Sequence, residues 1–191
     1  MASPSSTPAF SPPAFLNISA ISAKGGVSIL ECWQLLPGFA TSSQTGTAGA
    51  SILQLGNLAN GSFSVIPPGF NAGFHNAPNK QYVPVPLAFS PLPPSHTTKN
   101  NRWVVFLSGL AHVSLANSTD EVFIHGGANG LVFAADTADV SVKGHSTNYP
   151  SGVETRVLQI PTGGSVPEHT VLYSGACKSP QLQGRSLDAL D

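Results

Sequence analysis

Charged residues are scarce in this chain. Only 9% of its 191 residues are charged and the net charge is -1, whereas an ordinary soluble domain carries about 25% charged residues. No basic stripe is present that could neutralise phosphates, so nucleic acid is not an expected partner. The surface must instead stay hydrated through Ser, Thr, Asn and Gln, or through attached sugar.

Long apolar runs are missing as well. No stretch approaches the roughly 18–20 apolar residues that a membrane-spanning helix needs, so no membrane partner is expected. The segment from Met1 to Pro8 has neither the basic region nor the apolar region of a secretory signal peptide. We expect either a cytosolic protein or a mature secreted chain that carries an added Met.

Cysteine is almost absent. The two cysteines, Cys32 and Cys177, are too far apart for a Cys-x-x-Cys redox or zinc pattern. They form either one disulfide that closes most of the chain or two buried free thiols. Three glycosylation sequons, at Asn17, Asn60 and Asn117, are typical of secretory passage. They favour secretion, and with it the disulfide.

Helical periodicity is also lacking, and short runs of Val, Ile, Phe and Leu alternate with Gly, Pro and Asn instead. This pattern predicts an all-β sandwich or barrel in one domain, residues 15–178. Residues 1–14 and 179–191 are expected to be flexible or draped over the surface. The predicted strands are Gly26–Leu36, Ser51–Leu58, Ser62–Pro67, Gln81–Val85, Arg102–Ala116, Glu121–Ile124, Leu131–Ala134, Val153–Ile160 and Thr170–Tyr173. A Pro-rich loop, Pro86–Asn101, is predicted to cover a pocket mouth.

The segment that starts at Gly69 has the spacing of a metal-binding barrel motif. Five residues separate Gly69 from His75, and Ala77 and Gln81 follow at the positions where a second His and a Glu would stand. With this spacing the chain resembles the cupins. Trp103 to Gly109 resembles the end of their first motif, and Ala134 to Asn148, which contains His145, resembles their second. The resemblance covers roughly residues 60 to 160 and implies a cupin-like jelly-roll β-barrel.

The metal ligands of that family are mostly replaced here. A three-His, one-carboxylate site binds iron or manganese, whereas this chain keeps His75 and His145 and has the amide of Gln81 in place of the carboxylate. We therefore expect no tightly bound metal and no cofactor. Asp136 could substitute for the lost carboxylate. The pair Asp136 and Asp139 is interpreted as local turn chemistry in preference to paired-carboxylate catalysis.

A barrel without its metal still encloses an apolar cavity with a few polar groups. The resemblance implies that the catalytic groups are His75, Lys80, Gln81 and His145. The predicted substrate-binding walls are aromatic, although each aromatic side chain could equally serve ordinary core packing. These wall residues are Trp33, Phe63, Phe74, Trp103 and Phe106.

Within the cupins, the chain is similar to the small secreted fungal hetero-Diels–Alderases of tropolone sesquiterpenoid biosynthesis. That likeness implies dehydration of a hydroxymethyl tropolone to a quinone methide, followed by cycloaddition with a terpene alkene such as humulene. The implied partners are therefore small apolar substrates, and a homodimer is expected by analogy. Two alternatives stay open: a metal-dependent cupin oxygenase or isomerase, and a non-catalytic secreted ligand-binding barrel.

Overall fold

A computed structural model gives the structure of the chain and describes residues 14–43, 45, 47–56, 58, 61–77, 101–163 and 166–178. These residues contain thirteen strands and no helix. The strands are β1 Asn17–Lys24, β2 Val27–Leu35, β3 Ala40–Thr41, β4 Ser51–Ile52, β5 Ser62–Ile66, β6 Asn71–His75, β7 Arg102–Ser108, β8 Leu110–Leu115, β9 Glu121–His125, β10 Leu131–Ala134, β11 His145–Asn148, β12 Thr155–Pro161 and β13 His169–Ser174.

Two large sheets form the body of the molecule. The first has seven strands in the order β13-β2-β1-β10-β7-β12-β5, and the second has four in the order β6-β11-β8-β9. Their facing sides share one apolar core, in which Ile21 and Val132 of the larger sheet pack with Val113 and Ile124 of the smaller. The predicted all-β fold is confirmed.

Gly109 directs the chain from one sheet to the other. Its φ is +83°, and a Cβ atom at this position would lie 2.3 Å from Oγ1 of Thr155. Glycine adopts such a φ without steric cost, whereas other residues do so rarely. The predicted strand Arg102–Ala116 is therefore two strands, β7 in the seven-stranded sheet and β8 in the four-stranded sheet.

The seven-stranded sheet is also covered on its outer face. Trp33, Trp103 and Phe133 form a second buried cluster there, against which Leu53 and Leu55 pack. Side chains alternate between the two faces of a strand, so the central strands bury one set of side chains in each cluster. This explains why β1 is buried at each of its first five positions.

Four observed strands are absent from the prediction, because their sequences are poor in branched apolar residues. These are β1, β3, β6 and β11, of which β6 and β11 carry His75 and His145. The predicted strand Ser51–Leu58 shortens to β4, Ser51–Ile52. The predicted strand Gln81–Val85 lies outside the described residues. So do nearly all of the loop Pro86–Asn101 and of the predicted flexible ends, residues 1–14 and 179–191, which stay predictions.

Cys32 and Cys177 form a disulfide, as predicted. It joins β2 to the segment after β13, where the Cys177 backbone N–H also donates to Oγ of Ser19 at 2.9 Å. Disulfides form and persist in oxidising compartments, so this bond is compatible with secretion. Among the residues with described positions, none belongs to a helix with the length and apolarity needed to span a membrane.

Removing the disulfide should destabilise the protein. The two cysteines are separated by 145 residues, and releasing so long a loop raises the entropy of the unfolded chain. We expect the double replacement Cys32→Ser and Cys177→Ser to lower the free energy of unfolding by about 2–5 kcal/mol. Urea denaturation of the variant, with reduced and oxidised wild type in parallel, measures this. A variant as stable as the oxidised wild type would contradict it.

Candidate functional site

A cavity lies between the two sheets. Its empty volume is about 480 Å³, including the part that opens to solvent. Most of the wall is apolar, and polar side chains gather in one region. The lining residues are Ile21, His75, Ala77, Arg102, Val104, Phe106, Val113, Ile124, Val132, Ala134, His145, Thr147, Tyr149 and Gln159.

His145 is the most deeply buried histidine at the cavity. It begins β11 and is 4% exposed. Its Nδ1 lies 2.7 Å from Oδ2 of Asp136, which is fully buried at 0% exposure. A carboxylate accepts hydrogen bonds, so Nδ1 carries the proton of this bond and Nε2 is the nitrogen left available at the cavity. The pair has the arrangement of a carboxylate that orients an imidazole for acid or base chemistry.

A hydroxyl network holds Asp136 in place. Ser28 donates to the same Oδ2 at 2.7 Å and accepts from Ser141 at 2.7 Å, while Ser141 accepts from the Gly144 backbone at 3.1 Å. The amide of Asn76 donates to the Asp136 and Ser141 carbonyls at 3.1 and 2.8 Å. The loop between β10 and β11 is therefore fixed to both β2 and the end of β6.

His75 lies beside His145 on the neighbouring strand. The two residues are direct partners in the antiparallel pairing of β6 and β11, and their ring centroids are 4.6 Å apart. Gly144 permits this approach, because its φ is +69° and a Cβ there would lie 2.0 Å from the His75 carbonyl oxygen. The predicted convergence of the two histidines is present.

The environment of His75 favours its neutral form. Burial lowers the pKa of His75, and the nearby His145 lowers it further. The hydrogen bond to Gly73 and the charge of Asp136 raise this pKa by less, and Arg102 lowers it by the smallest amount. Its Nδ1 lies 2.9 Å from the Gly73 carbonyl, so Nδ1 carries the proton. In the neutral ring Nε2 is then a free acceptor, suited to take a proton from a ligand.

Four further polar side chains line the cavity: Arg102, Thr147, Tyr149 and Gln159. Arg102 on β7 is 8% exposed and donates through Nη1 to Oε1 of Gln159 on β12. Burial lowers the pKa of the Arg102 guanidinium, which nevertheless stays charged at neutral pH. Burial likewise raises the pKa of the Tyr149 phenol, so its hydroxyl stays protonated.

The structure corrects most of the predicted cavity wall. Phe106 lines the cavity, but Trp33 and Trp103 belong to the buried cluster on the outer face of the sheet. Phe63 and Phe74 are 56% and 58% exposed. The reason is the alternation of side chains along a strand: Trp103 follows the inward Arg102, and Phe74 precedes the inward His75.

Other predicted positions have mixed outcomes. Lys80 and Gln81 lie outside the described residues, and so does the sequon at Asn60. Asn17 is 7% exposed in β1, so a glycan on this side chain is incompatible with the observed packing. Asn117 lies in the exposed turn between β8 and β9, where glycosylation stays a prediction.

The residues that are described do not fit the metal site of the cupins. His75 and His145 supply two ring nitrogens, and Ala77 is buried where the second motif histidine would stand. No group of three or more His, Cys, Asp or Glu side chains able to hold a metal occurs in the described part of the chain. Oδ2 of Asp136 binds both His145 and Ser28.

The sequence does not predict the roles of two residues of the site, Asp136 and Arg102. Asp136 was interpreted chiefly as turn chemistry, which is correct for Asp139, the acceptor of the Thr137 hydroxyl, but wrong for Asp136. Arg102 was not singled out. Its position indicates a special role, because Arg102 stands at the start of an apolar strand in a chain with only 8 Lys and Arg residues.

Comparisons with known proteins give little further guidance. No protein-family model matches the chain, and no curated protein matches it either. Among solved structures, it is similar to an ethanolamine utilization protein Q from Salmonella typhimurium LT2 with 14% identity and a TM-score of 0.29, over 82% of this chain and all of that one. A likeness this weak supports no statement about activity.

Proposed function

We propose that this chain is a metal-independent cupin-like enzyme that performs acid and base chemistry on a small, largely apolar substrate. The observation that carries the proposal is the buried Asp136–His145 pair at the wall of the cavity, with Nδ1 and Oδ2 2.7 Å apart. A carboxylate behind an imidazole fixes the ring and favours its protonated form when it acts. Asp136 is thus a positioning residue for His145.

The two histidines are suited to different roles. A second positive charge close to the first is costly, so His145 as the proton donor and neutral His75 as the acceptor form a complementary pair. Burial already lowers the pKa of His75. The arrangement supports a reaction in which one proton is given to a leaving group and another is taken from the same substrate.

The reaction that we propose is dehydration followed by a hetero-Diels–Alder cycloaddition. His145 would protonate the hydroxyl of a hydroxymethyl tropolone as its C–O bond breaks, releasing water. His75 would accept the proton of the ring hydroxyl, leaving a neutral quinone methide, and a proton returned from His75 to His145 would restore both groups. This step balances without an oxidant, a reductant or a cofactor.

The cycloaddition itself needs positioning more than further catalytic groups. Holding a terpene alkene against the quinone methide removes translational freedom, and an apolar cavity protects the intermediate from water. Val104, Phe106, Val113 and Ile124 supply such a wall. Secretion and homodimerisation are part of the proposal, the first supported by the disulfide and the second by analogy alone.

A turnover assay tests the proposal. Purified protein, incubated with the hydroxymethyl tropolone and humulene, should form the cycloadduct faster than the protein-free control and with a different ratio of stereoisomers. Liquid chromatography with mass spectrometry measures both. Binding of the substrates with no increase in rate would favour a ligand-binding barrel, and activity that appears only after metal loading would favour a metal-dependent cupin.

A further inference from the structure

Polar side chains form a row along β11 and the residue that follows it. His145, Thr147 and Tyr149 all line the cavity, whereas Ser146 and Asn148 between them do not. This is the alternation expected of a strand, in which every second side chain points to the same face and stands about 7 Å from the one before it. The row therefore leads from the histidine pair along one wall of the cavity.

Tyr149 is held in place by the chain beside it. Its backbone N–H donates to the Phe70 carbonyl at 2.9 Å, and its own carbonyl accepts from the Gly69 N–H at 2.9 Å. The Tyr149 and Phe70 rings are tilted towards each other with centroids 6.2 Å apart, and Tyr149 packs in the core cluster that contains Val113. These contacts fix the phenol ring, so a ligand that binds to it need not order it.

The Tyr149 side chain is 9% exposed, and its hydroxyl has no hydrogen-bond partner among the residues that the structure describes. It is not one of the described polar atoms that are fully enclosed without a partner, so it borders open space, and the space that Tyr149 lines is the cavity. Burial raises the pKa of the phenol, which stays protonated and able to donate. A buried hydroxyl without a partner is costly, so this group indicates where a ligand atom would bind.

From this arrangement we propose that Tyr149 determines specificity, its hydroxyl donating a hydrogen bond to a neutral carbonyl oxygen of a largely apolar ligand. The apolar body would lie against Val113, which pairs with Thr147 across β8 and β11 and lines the same cavity. Because Tyr149 is four residues beyond His145, the carbonyl is a group separate from the hydroxyl that His145 protonates. The inference rests on the proposed function and deepens it, since a tropolone has a ring carbonyl that stays neutral when the quinone methide forms.

Tropone and cycloheptatriene provide a direct test, since both are neutral rings of nearly the same shape and only tropone has a carbonyl oxygen. In titrations followed by ligand NMR, Tyr149→Phe should weaken tropone binding by about 3- to 10-fold, the contribution of one neutral hydrogen bond, and leave cycloheptatriene binding unchanged. The matched control is Tyr173→Phe on β13, whose hydroxyl accepts from the Lys178 backbone N–H at 2.9 Å and which is not among the lining residues. Both affinities should be retained there.

A second measurement covers the case in which Tyr149→Phe does not fold. The chain has three tyrosines, so wild type labelled with ¹³C at tyrosine Cζ gives three signals, which Tyr82→Phe and Tyr173→Phe assign. The Tyr149 signal should shift with tropone and much less with cycloheptatriene. Equal shifts with the two probes, or a folded Tyr149→Phe variant that keeps its tropone affinity or loses affinity for both probes equally, would each overturn the inference. These binding results are independent of turnover, so an inactive protein that gives the expected results would refute the proposed function and keep the carbonyl site.

Discussion

His145→Ala should reduce the rate of the proposed dehydration and cycloaddition by about 10²- to 10⁴-fold, the usual contribution of a positioned acid or base. The loss follows from the geometry, because His145 is the group that Asp136 orients and its other ring nitrogen is available at the cavity. The dehydration step should carry the loss, so a preformed quinone methide would react with humulene at nearly the wild-type rate. Single-turnover measurements with both substrates separate the two steps.

The control for this variant is His112→Ala. His112 lies on β8, is partly buried, pairs with Glu121 at 2.8 Å and is outside the cavity lining, so its replacement should change the rate by no more than about twofold. Added imidazole should partly restore His145→Ala and have no effect on the control. A folded His145→Ala protein with full turnover would show that the acid is another group and that the proposed mechanism is wrong.

The sequence predicts strands best where branched and aromatic apolar residues are concentrated in a short run. The predicted strand Leu131–Ala134 is observed as β10, and Ser62–Pro67 differs by one residue from β5. Strand β1 was missed because it contains Ser and Ala at half of its positions and lies in the middle of a sheet that is buried on both faces. Pairing with β2 and β10, rather than intrinsic propensity, makes this segment a strand.

Residues of the site could be predicted where the order of the motifs along the chain identifies them. They could not be predicted where their position depends on contacts between segments that are distant in the sequence. His75 and His145 could be brought together through the resemblance of their two segments to the cupin motifs. Asp136 could not be assigned, because its partner Ser28 is 108 residues away and the neighbouring Thr137 and Asp139 give a real turn signal. The sequence also could not predict which face of β7 Trp103 occupies. Both faces of this strand are apolar, and the alternation of side chains does not tell which face borders the cavity.

The corrected position of Trp103 leads to the second large expected effect. Trp103→Ala should lower the free energy of unfolding by about 3–5 kcal/mol, as large-to-small replacements of buried aromatic residues do. Trp103 is 0% exposed, packs edge-on against Phe133 with ring centroids 4.8 Å apart, and donates to the Leu55 carbonyl at 3.2 Å. The loss combines removed apolar contacts, an outer-face void and an unpartnered carbonyl. Urea denaturation followed by circular dichroism measures it.

Phe106→Ala is the comparison that separates stability from selectivity. Phe106 is three residues further along β7, is 4% exposed and lines the cavity, so its loss should cost a similar free energy of unfolding of about 3–5 kcal/mol and also enlarge the ligand space. At a temperature where both variants are folded, Trp103→Ala should keep the wild-type ratio of product stereoisomers, because its side chain lies on the other face of the sheet. Phe106→Ala should change that ratio. If Trp103→Ala altered the product ratio and Phe106→Ala did not, the cavity between the sheets would not be where the cycloaddition occurs, and the outer face of the seven-stranded sheet would be the surface to investigate.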